Sequence, residues 1–266
     1  MSATIETGRC NVPALGFGTW QLEGDEAYDG VRTALDVGYR HLDTARIYDN
    51  ERVVGSGLAA SDVDRDDVTV ATKLWIDDLA GSAVEPAARE SAERLGVDRL
   101  DLLYIHRPRG DYDPKTTLPA VDALRESGLV GEIGVSNFEI SDLERVRETL
   151  GRPPAVHQTE LHPLFFRPEL LAHAREHGYT VVAYSPLAGG QVRDVDAVVA
   201  VAERHGTTPE AVAIAWVLSK EPVVAIPKGS SRAHLEANLA AREVTLSAED
   251  VAAIDAVERE VELYPE

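Results

Sequence analysis

The sequence predicts an α/β protein in which eight strand–helix units close into one (β/α)8 TIM barrel, with an extra C-terminal helix. Three observations predict it. Apolar, β-rich runs recur along the chain with helical segments between them. Those runs are apolar almost throughout, which marks parallel strands covered by helices rather than strands with one wet face. The length, 266 residues, is ordinary for a single barrel of this kind. No linker or low-complexity run interrupts residues 1–266, so one domain is expected.

The strands fall at LGFGTW (15–20), RHLDT (40–44), VTVATKL (68–74), LDLLYIH (100–106), EIGVSN (132–137), AVHQTEL (155–161), TVVAYSP (180–186) and VVAIPK (223–228). The segments between them read as amphipathic helices with legible ends. Ser141 and Glu144 have capping-box spacing ahead of LERVRETL, and Gly151 stops that helix. Pro168 opens PELLAHAREHG and Gly178 closes it. Thr208 and Pro209 open EAVAIAWVLSKE, and the tail from Ser247 reads as a further helix outside the repeat. The rival architecture, an open doubly wound sheet, wants G-x-G-x-x-G between a strand and a helix. GFGTWQ, from Gly16 to Gln21, supplies two glycines and then fails, and a phosphate loop ending in Lys-Ser/Thr is absent.

Composition narrows the function classes. The net charge is −20, from 46 acidic against 26 basic residues. Nucleic acid and anionic membranes repel such a surface, so neither is an expected partner. Of the basic residues 22 are Arg and only 4 are Lys. An acidic, lysine-poor surface suits concentrated salt, where self-repulsion is screened, and a halophilic source is expected. No run approaches the roughly 20 apolar residues of a membrane span. The single cysteine, Cys10, excludes an intrachain disulfide and a Cys-based zinc site, and the start of the chain lacks signal-peptide character. A cytoplasmic location is expected.

In a barrel, chemistry collects at the C-terminal ends of the strands. The predicted strands end in turn at Asp43, Lys73, His106, Ser136-Asn137, Gln158, Tyr184-Ser185 and Lys228. All are polar or ionisable, and barrel closure aims them at one mouth. A buried Lys73 needs a counter-ion, and Asp43 can supply it. The charge of Lys73 then favours the phenolate of Tyr48, five residues beyond Asp43, and is expected to draw its pKa below about 10. Such a phenol can give a proton to a carbonyl oxygen, with His106 bonding the same oxygen. That equipment suits carbonyl reduction once a nicotinamide supplies hydride. His157 and His162, five apart, share neither a helix face nor a strand face, so no metal is expected there. Ser136 lacks the G-x-S-x-G setting of a hydrolase elbow.

The stretches GFGTW, GYRHLDTARIYDNE, TKLW, YIHRP, GEIGVSNF, HQTELHP, AYSPLAGG and IPKGS, in this order and over nearly the whole chain, resemble the aldo-keto reductases. The likeness is to small prokaryotic members related to 2,5-diketo-gluconic acid reductases. The resemblance implies a (β/α)8 barrel that binds NADP(H) without a Rossmann domain. It implies Asp43, Tyr48, Lys73 and His106 as the catalytic tetrad, with Tyr48 as general acid in reduction. It implies that Ser136, Asn137 and Gln158 hold the nicotinamide carboxamide and that Tyr184 stacks on its ring. Ser185 and Leu187 would neighbour the pyrophosphate. Gly18, Thr19, Trp20 and Asp43 belong to the same cofactor set, and Lys228 would meet the 2′-phosphate.

Three departures from the family pattern refine the expectation. Arg107 follows His106 where an apolar aromatic is common, and it could clamp a substrate carboxylate or turn outward to Asp111 or Asp113. Near Lys228 the pattern is altered: Gly229 and His234 stand at positions of Ser and Arg, Ala237 replaces Glu, and Asn238 is kept. Arg232, Ser230, Ser231 and His234 are the remaining phosphate candidates, so NADP(H) is preferred with NAD(H) possible. The chain ends shortly after, at VELYPE, which suggests an open pocket walled by Trp20 and Trp75. The expected protein is a monomer reducing a small aldehyde or ketone; the alternative is a cofactor-loaded redox sensor with slow turnover.

Overall fold

The computed structural model of the chain describes residues 4–7 and 10–265. It opens with a hairpin that the sequence did not announce, β1 (Thr4–Thr7) antiparallel to β2 (Cys10–Pro13). Eight parallel strands follow: β3 (Phe17–Gly18), β4 (His41–Asp43), β5 (Thr69–Leu74), β6 (Leu100–Ile105), β7 (Val130–Ser136), β8 (Val156–Glu160), β9 (Thr180–Tyr184) and β10 (Val223–Ala225). They pair in chain order from β3 to β10. A parallel bridge from Leu15 to Ala225, with Gly16 N–H donating to Ala225 O at 2.8 Å, joins the last strand to the first. The sheet is therefore a closed barrel.

Closure explains the glycines of GFGTW. A Cβ on Gly16 would lie 2.5 Å from Nδ1 of His41, and one on Gly18 would lie 2.7 Å from the Ile226 carbonyl. These glycines let the first strand pack between its neighbours; they do not form a phosphate loop.

The helices alternate with the strands: α1 (Gly24–Val37), α2 (Glu51–Ala59), α3 (Gly81–Leu95), α4 (Thr117–Glu126), α5 (Ile140–Leu150) and α6 (Pro168–His177). Two helices, α7 (Asp196–His205) and α8 (Pro209–Leu218), separate β9 from β10, and α9 (Arg232–Ala240) and α10 (Ala248–Asp255) follow β10. Thr208 caps α8 by accepting from Ala211 N–H, with Pro209 at its first turn. Gly151 and Gly178 end α5 and α6 in the left-handed region, as expected. One cap differs. The reciprocal cap of α5 is Glu139 with Asp142, two residues ahead of Ser141 and Glu144. Asp142 Oδ2 accepts from Glu139 N–H at 3.3 Å while Asp142 N–H donates to the Glu139 carbonyl at 2.9 Å, so the helix starts earlier, and the Glu139 carboxylate is held by Arg167. The expected C-terminal helix, α10, is capped by Ser247 and docks through Asp255, which accepts from Trp216 Nε1 at 2.7 Å and Lys220 Nζ at 2.5 Å.

The strand period of two sorts the barrel interior into layers. Ala71, Leu102, Tyr104, Val156, Val182 and Val224 form an inner apolar cluster, joined from β2 by Val12. One pleat further along the same faces come Lys73, Gln158 and Tyr184. The larger apolar cluster lies between sheet and helices. Among the described residues no helix is long and apolar enough to cross a membrane.

Strand ends depart slightly from the sequence reading. Lys73 is followed by one more strand residue, β8 continues from Gln158 to Glu160, and β10 stops three residues short of Lys228.

Candidate active site

A cavity of about 700 Å³ opens where the strands end, lined among others by Gly18, Thr19, Trp20, Asp43, Tyr48, Trp75, His106, Arg107, Ser136, Asn137, Gln158, Tyr184, Ser185, Leu187 and Lys228. Behind the lining residue Asp43, Lys73 Nζ donates to Asp43 Oδ1 at 2.5 Å and to the Thr44 carbonyl at 2.9 Å. Lys73 is fully buried and Asp43 is 2% exposed. Gln158 Nε2 donates to the other oxygen of Asp43 at 2.7 Å. The backbone behind Asp43 is held too, because its carbonyl accepts from Thr19 N–H and Thr19 Oγ1, each at 3.0 Å. A buried ion pair is weak evidence for stability in itself, since desolvation offsets most of the attraction. Its value lies in holding an ammonium where water cannot screen it.

That ammonium faces Tyr48, whose ring centroid lies 5.2 Å from Nζ. Tyr48 ends a tight 3-10 turn, Arg46–Tyr48. Arg46 pins the turn from outside, donating to Asp78 at 2.9 Å, to the Ala87 carbonyl at 2.9 Å and to Glu90 at 2.8 Å. From the sequence, Lys73 is expected to lower the Tyr48 pKa below about 10. The net shift runs the other way: burial raises it, and the charge and hydrogen bonding of Lys73 offset only part of that rise. The phenol therefore keeps its proton through neutral pH. Burial alone would lower the Lys73 pKa, but Asp43 and Tyr48 outweigh it and the net shift is upward.

His106 packs edge-on to Trp75, with centroids 4.9 Å apart, and to Tyr48 at 6.0 Å. Burial, helped by the charges of Lys73 and Arg107, holds its pKa well below 6.5, so the imidazole is neutral. A neutral ring can donate one N–H to an oxygen while competing little for the proton of Tyr48. Arg107 lines the cavity and its charge reaches both His106 and Tyr184.

The same lining includes a bonded polar strip. Asn137, in the left-handed region at φ 59°, donates through Nδ2 to the His106 carbonyl and to Ser136 Oγ, both at 3.1 Å. Tyr184 OH donates to Asn137 Oδ1 at 2.9 Å. Both amide atoms of Asn137 are thus engaged within the protein and Gln158 gives an amide N–H to Asp43, which leaves Gln158 Oε1 and the hydroxyl hydrogen of Ser136 to meet a ligand amide.

Exposed Lys228 also lines the cavity. Ser230, Ser231 and His234, around the start of α9, and Asn238, in its last turn, stand outside the lining. Ser231 caps that helix, Ser230 Oγ lies 3.2 Å from His234 Nδ1, and Asn238 Nδ2 donates to the Lys228 carbonyl at 3.4 Å. Arg232, a candidate phosphate ligand in the sequence, is bonded to Asp36 and, at 3.4 Å, to Glu236.

The aldo/keto reductase family pattern matches residues 14–259. The chain belongs to the aldo-keto reductase family. This aldo-keto reductase is 36% identical over 250 residues to methylglyoxal reductase DkgB of Escherichia coli O157:H7, covering 93% of each chain. It is 39% identical over 256 residues to an aldo-keto reductase of Mycolicibacterium vanbaalenii, covering 96% of this chain and 91% of that one. A solved structure provisionally described as 2,5-diketo-D-gluconic acid reductase B superposes with a TM-score of 0.96 at 32% identity, covering all of this chain and 95% of that one. The chain is thus an oxidoreductase.

Sequence reasoning missed three parts of the reductase's mouth. Ile47, 49% exposed, lines it beside Trp20. Asn50, buried, donates to the carbonyls of Thr19 at 2.9 Å and Leu22 at 3.0 Å and accepts from Thr44 Oγ1 at 2.6 Å, fixing the loop that carries Trp20. The third is Tyr264. The short tail suggests an open pocket, but the tail folds back over it. Glu160, buried at the end of β8, accepts from Leu263 N–H at 2.7 Å and Tyr264 N–H at 3.2 Å, with His162 Nε2 2.8 Å away. Tyr264 then packs edge-on to Trp20 at 5.1 Å and Tyr184 at 5.8 Å. HQTELHP contains this clamp, but nothing in its pattern says that its carboxylate faces the chain end.

Proposed function

We propose that this aldo-keto reductase is an NADP(H)-dependent carbonyl reductase in which Tyr48 is the general acid. The observation that carries the proposal is the buried Asp43–Lys73 pair facing Tyr48 beside neutral His106 in one cavity. The cavity fits a dinucleotide: its lining combines hydrogen-bonding side chains, the Tyr184 ring and the exposed ammonium of Lys228. Ser136, Asn137 and Gln158 would hold the carboxamide, Tyr184 the ring face, Ser185 and Leu187 the pyrophosphate, and Lys228 the 2′-phosphate. When bound, the reduced cofactor supplies hydride.

The chain's own residues do the rest. His106 Nε2 and Tyr48 OH both bond the substrate oxygen, polarising the carbonyl before transfer. As charge grows on that oxygen, Tyr48 releases its proton to it. Lys73 stabilises the phenolate left behind, and Asp43, fixed by Gln158, keeps Lys73 charged and pointed. Trp20, Ile47, Trp75 and Tyr264 hold the substrate's apolar part.

With Arg232 bonded to Asp36 and Glu236, and His234 in place of an Arg, the 2′-phosphate meets fewer charged ligands. NADP(H) is preferred and NAD(H) is used measurably. Arg107 at the pocket favours substrates carrying a carboxylate, keto acids and oxidised sugar acids among them. The relatives' names place small dicarbonyls such as methylglyoxal in the first panel to test. The protein works as a monomer in the cytoplasm, in keeping with its lone cysteine. Absorbance of the reduced nicotinamide with a carbonyl panel, both cofactors, and low and high salt tests this. Turnover faster with NADPH supports it; binding without turnover, or a large preference for NADH, overturns it.

A further inference from the structure

On the outer wall, away from the mouth, α5 and α6 bring three metal-binding side chains together. His173 and His177 are four apart on α6 and so stand one turn apart on the same face. Glu144 reaches them from α5. Its Oε1 lies 2.7 Å from His173 Nε2 and 3.4 Å from His177 Nε2, and the three ligand atoms lie within 4.8 Å of one another. We propose that Glu144, His173 and His177 form a site for a divalent transition ion of the zinc class, which ties α5 to α6.

The geometry suits such an ion. Tetrahedral zinc with bonds of about 2.0–2.1 Å separates its ligand atoms by roughly 3.3–3.4 Å. The Glu144–His177 spacing already has that value; the Glu144–His173 spacing is that of a hydrogen bond and opens by about 0.6 Å. Neighbours orient two of the ligands. His173 Nδ1 lies 2.8 Å from the hydroxyl of buried Tyr179. When that oxygen accepts Nδ1–H, the lone pair of Nε2 is free for the ion, the usual arrangement of a ligating histidine. Arg147 Nη1 holds Glu144 Oε2 at 2.5 Å, leaving Oε1 toward the histidines.

The three side chains are 38%, 9% and 16% exposed, enough for entry and for a water at the fourth position. Two imidazoles and a carboxylate suit Zn2+, Co2+ and Ni2+ rather than Mg2+ or Ca2+. A net charge of −20 concentrates cations at the surface. Without an ion the same atoms form His–Glu hydrogen bonds, so the site stays assembled.

The test is independent of carbonyl chemistry. Chelator-stripped full-length protein is titrated with Co2+ and followed by its visible d–d absorption, then with Zn2+ by calorimetry and thermal melting. The expected result is one ion per chain, a tetrahedral Co2+ spectrum displaced by Zn2+, and a melting point raised by about 5 °C or more at Zn2+ a hundredfold above Kd. His177→Ala removes both the spectrum and the shift, Glu144→Gln weakens them at least tenfold, and His205→Ala leaves them intact. His177 is an outer residue, so its variant's metal-free melting point serves as the folding control. Absence of stoichiometric binding overturns the proposal. So does binding that survives in both His173→Ala and His177→Ala.

Discussion

Gln158 donates its amide N–H to Asp43 at 2.7 Å, on the carboxylate oxygen that Lys73 leaves free. The counter-ion of the buried ammonium is therefore clamped on both sides, and its removal has a defined cost. Asp43→Asn leaves Lys73 buried without a counter-ion, and breaking such a pair typically costs about 3–5 kcal/mol. Urea unfolding of the variant checks this. Carbonyl reduction falls by at least about 10² as well, because Lys73 no longer stabilises the phenolate. Gln158→Leu, which leaves the pair intact, costs only about 1–3 kcal/mol.

The pH profile of reduction follows from two opposed shifts. The working forms are protonated Tyr48 and neutral His106. Burial raises the Tyr48 pKa above 10, so the proton donor is lost only in strong alkali. Burial lowers the His106 pKa well below 6.5, so neutral imidazole persists into mild acid. The kcat/KM for reduction is then flat across neutral pH and declines only on the far alkaline side. Oxidation of the alcohol, which needs the phenolate, rises with pH over the same range. A decline of reduction centred near pH 8 contradicts the Tyr48 assignment, and an acid limb near 6.5 contradicts the neutral histidine.

The barrel and the strand-end set are legible in the sequence because period and spacing are local. Asp43, Lys73, His106, Ser136, Gln158 and Tyr184 each follow an apolar run, and parallel closure converts that repeat into one mouth. Two features are not local. The Tyr48 pKa depends on how deeply the phenol sits, and burial overrides the charge that spacing alone reveals. Tyr264 reaches the mouth through Glu160, 104 positions away, across a contact that no periodicity encodes. Glu144, His173 and His177 likewise become neighbours only when α5 and α6 pack side by side.

The tail clamp makes its own prediction. Glu160→Gln weakens the hold on Leu263 and Tyr264, and Tyr264→Ala removes the ring between Trp20 and Tyr184. Both variants raise KM for small aldehydes several-fold while kcat changes less than about threefold, since neither residue moves a proton. Steady-state kinetics with short and bulky aldehydes separates the terms; bulky substrates gain relative to short ones.

Arg107 is tested by a matched pair of substrates. Losing a charge-assisted contact to a carboxylate costs about 1.5–3 kcal/mol, or roughly 10–150-fold in kcat/KM. Arg107→Trp should lose that much on a keto acid and little on its neutral analogue. Equal losses on both end the carboxylate assignment.

The most direct test of the proposed chemistry is single-turnover reduction by Tyr48→Phe, followed at the reduced-nicotinamide absorbance after rapid mixing with saturating carbonyl. The hydroxyl is removed while the ring remains against His106. Binding of reduced cofactor should stay within about threefold of wild type while the transfer rate falls by about 10²–10⁴. A transfer rate within threefold of wild type contradicts Tyr48 as the proton donor.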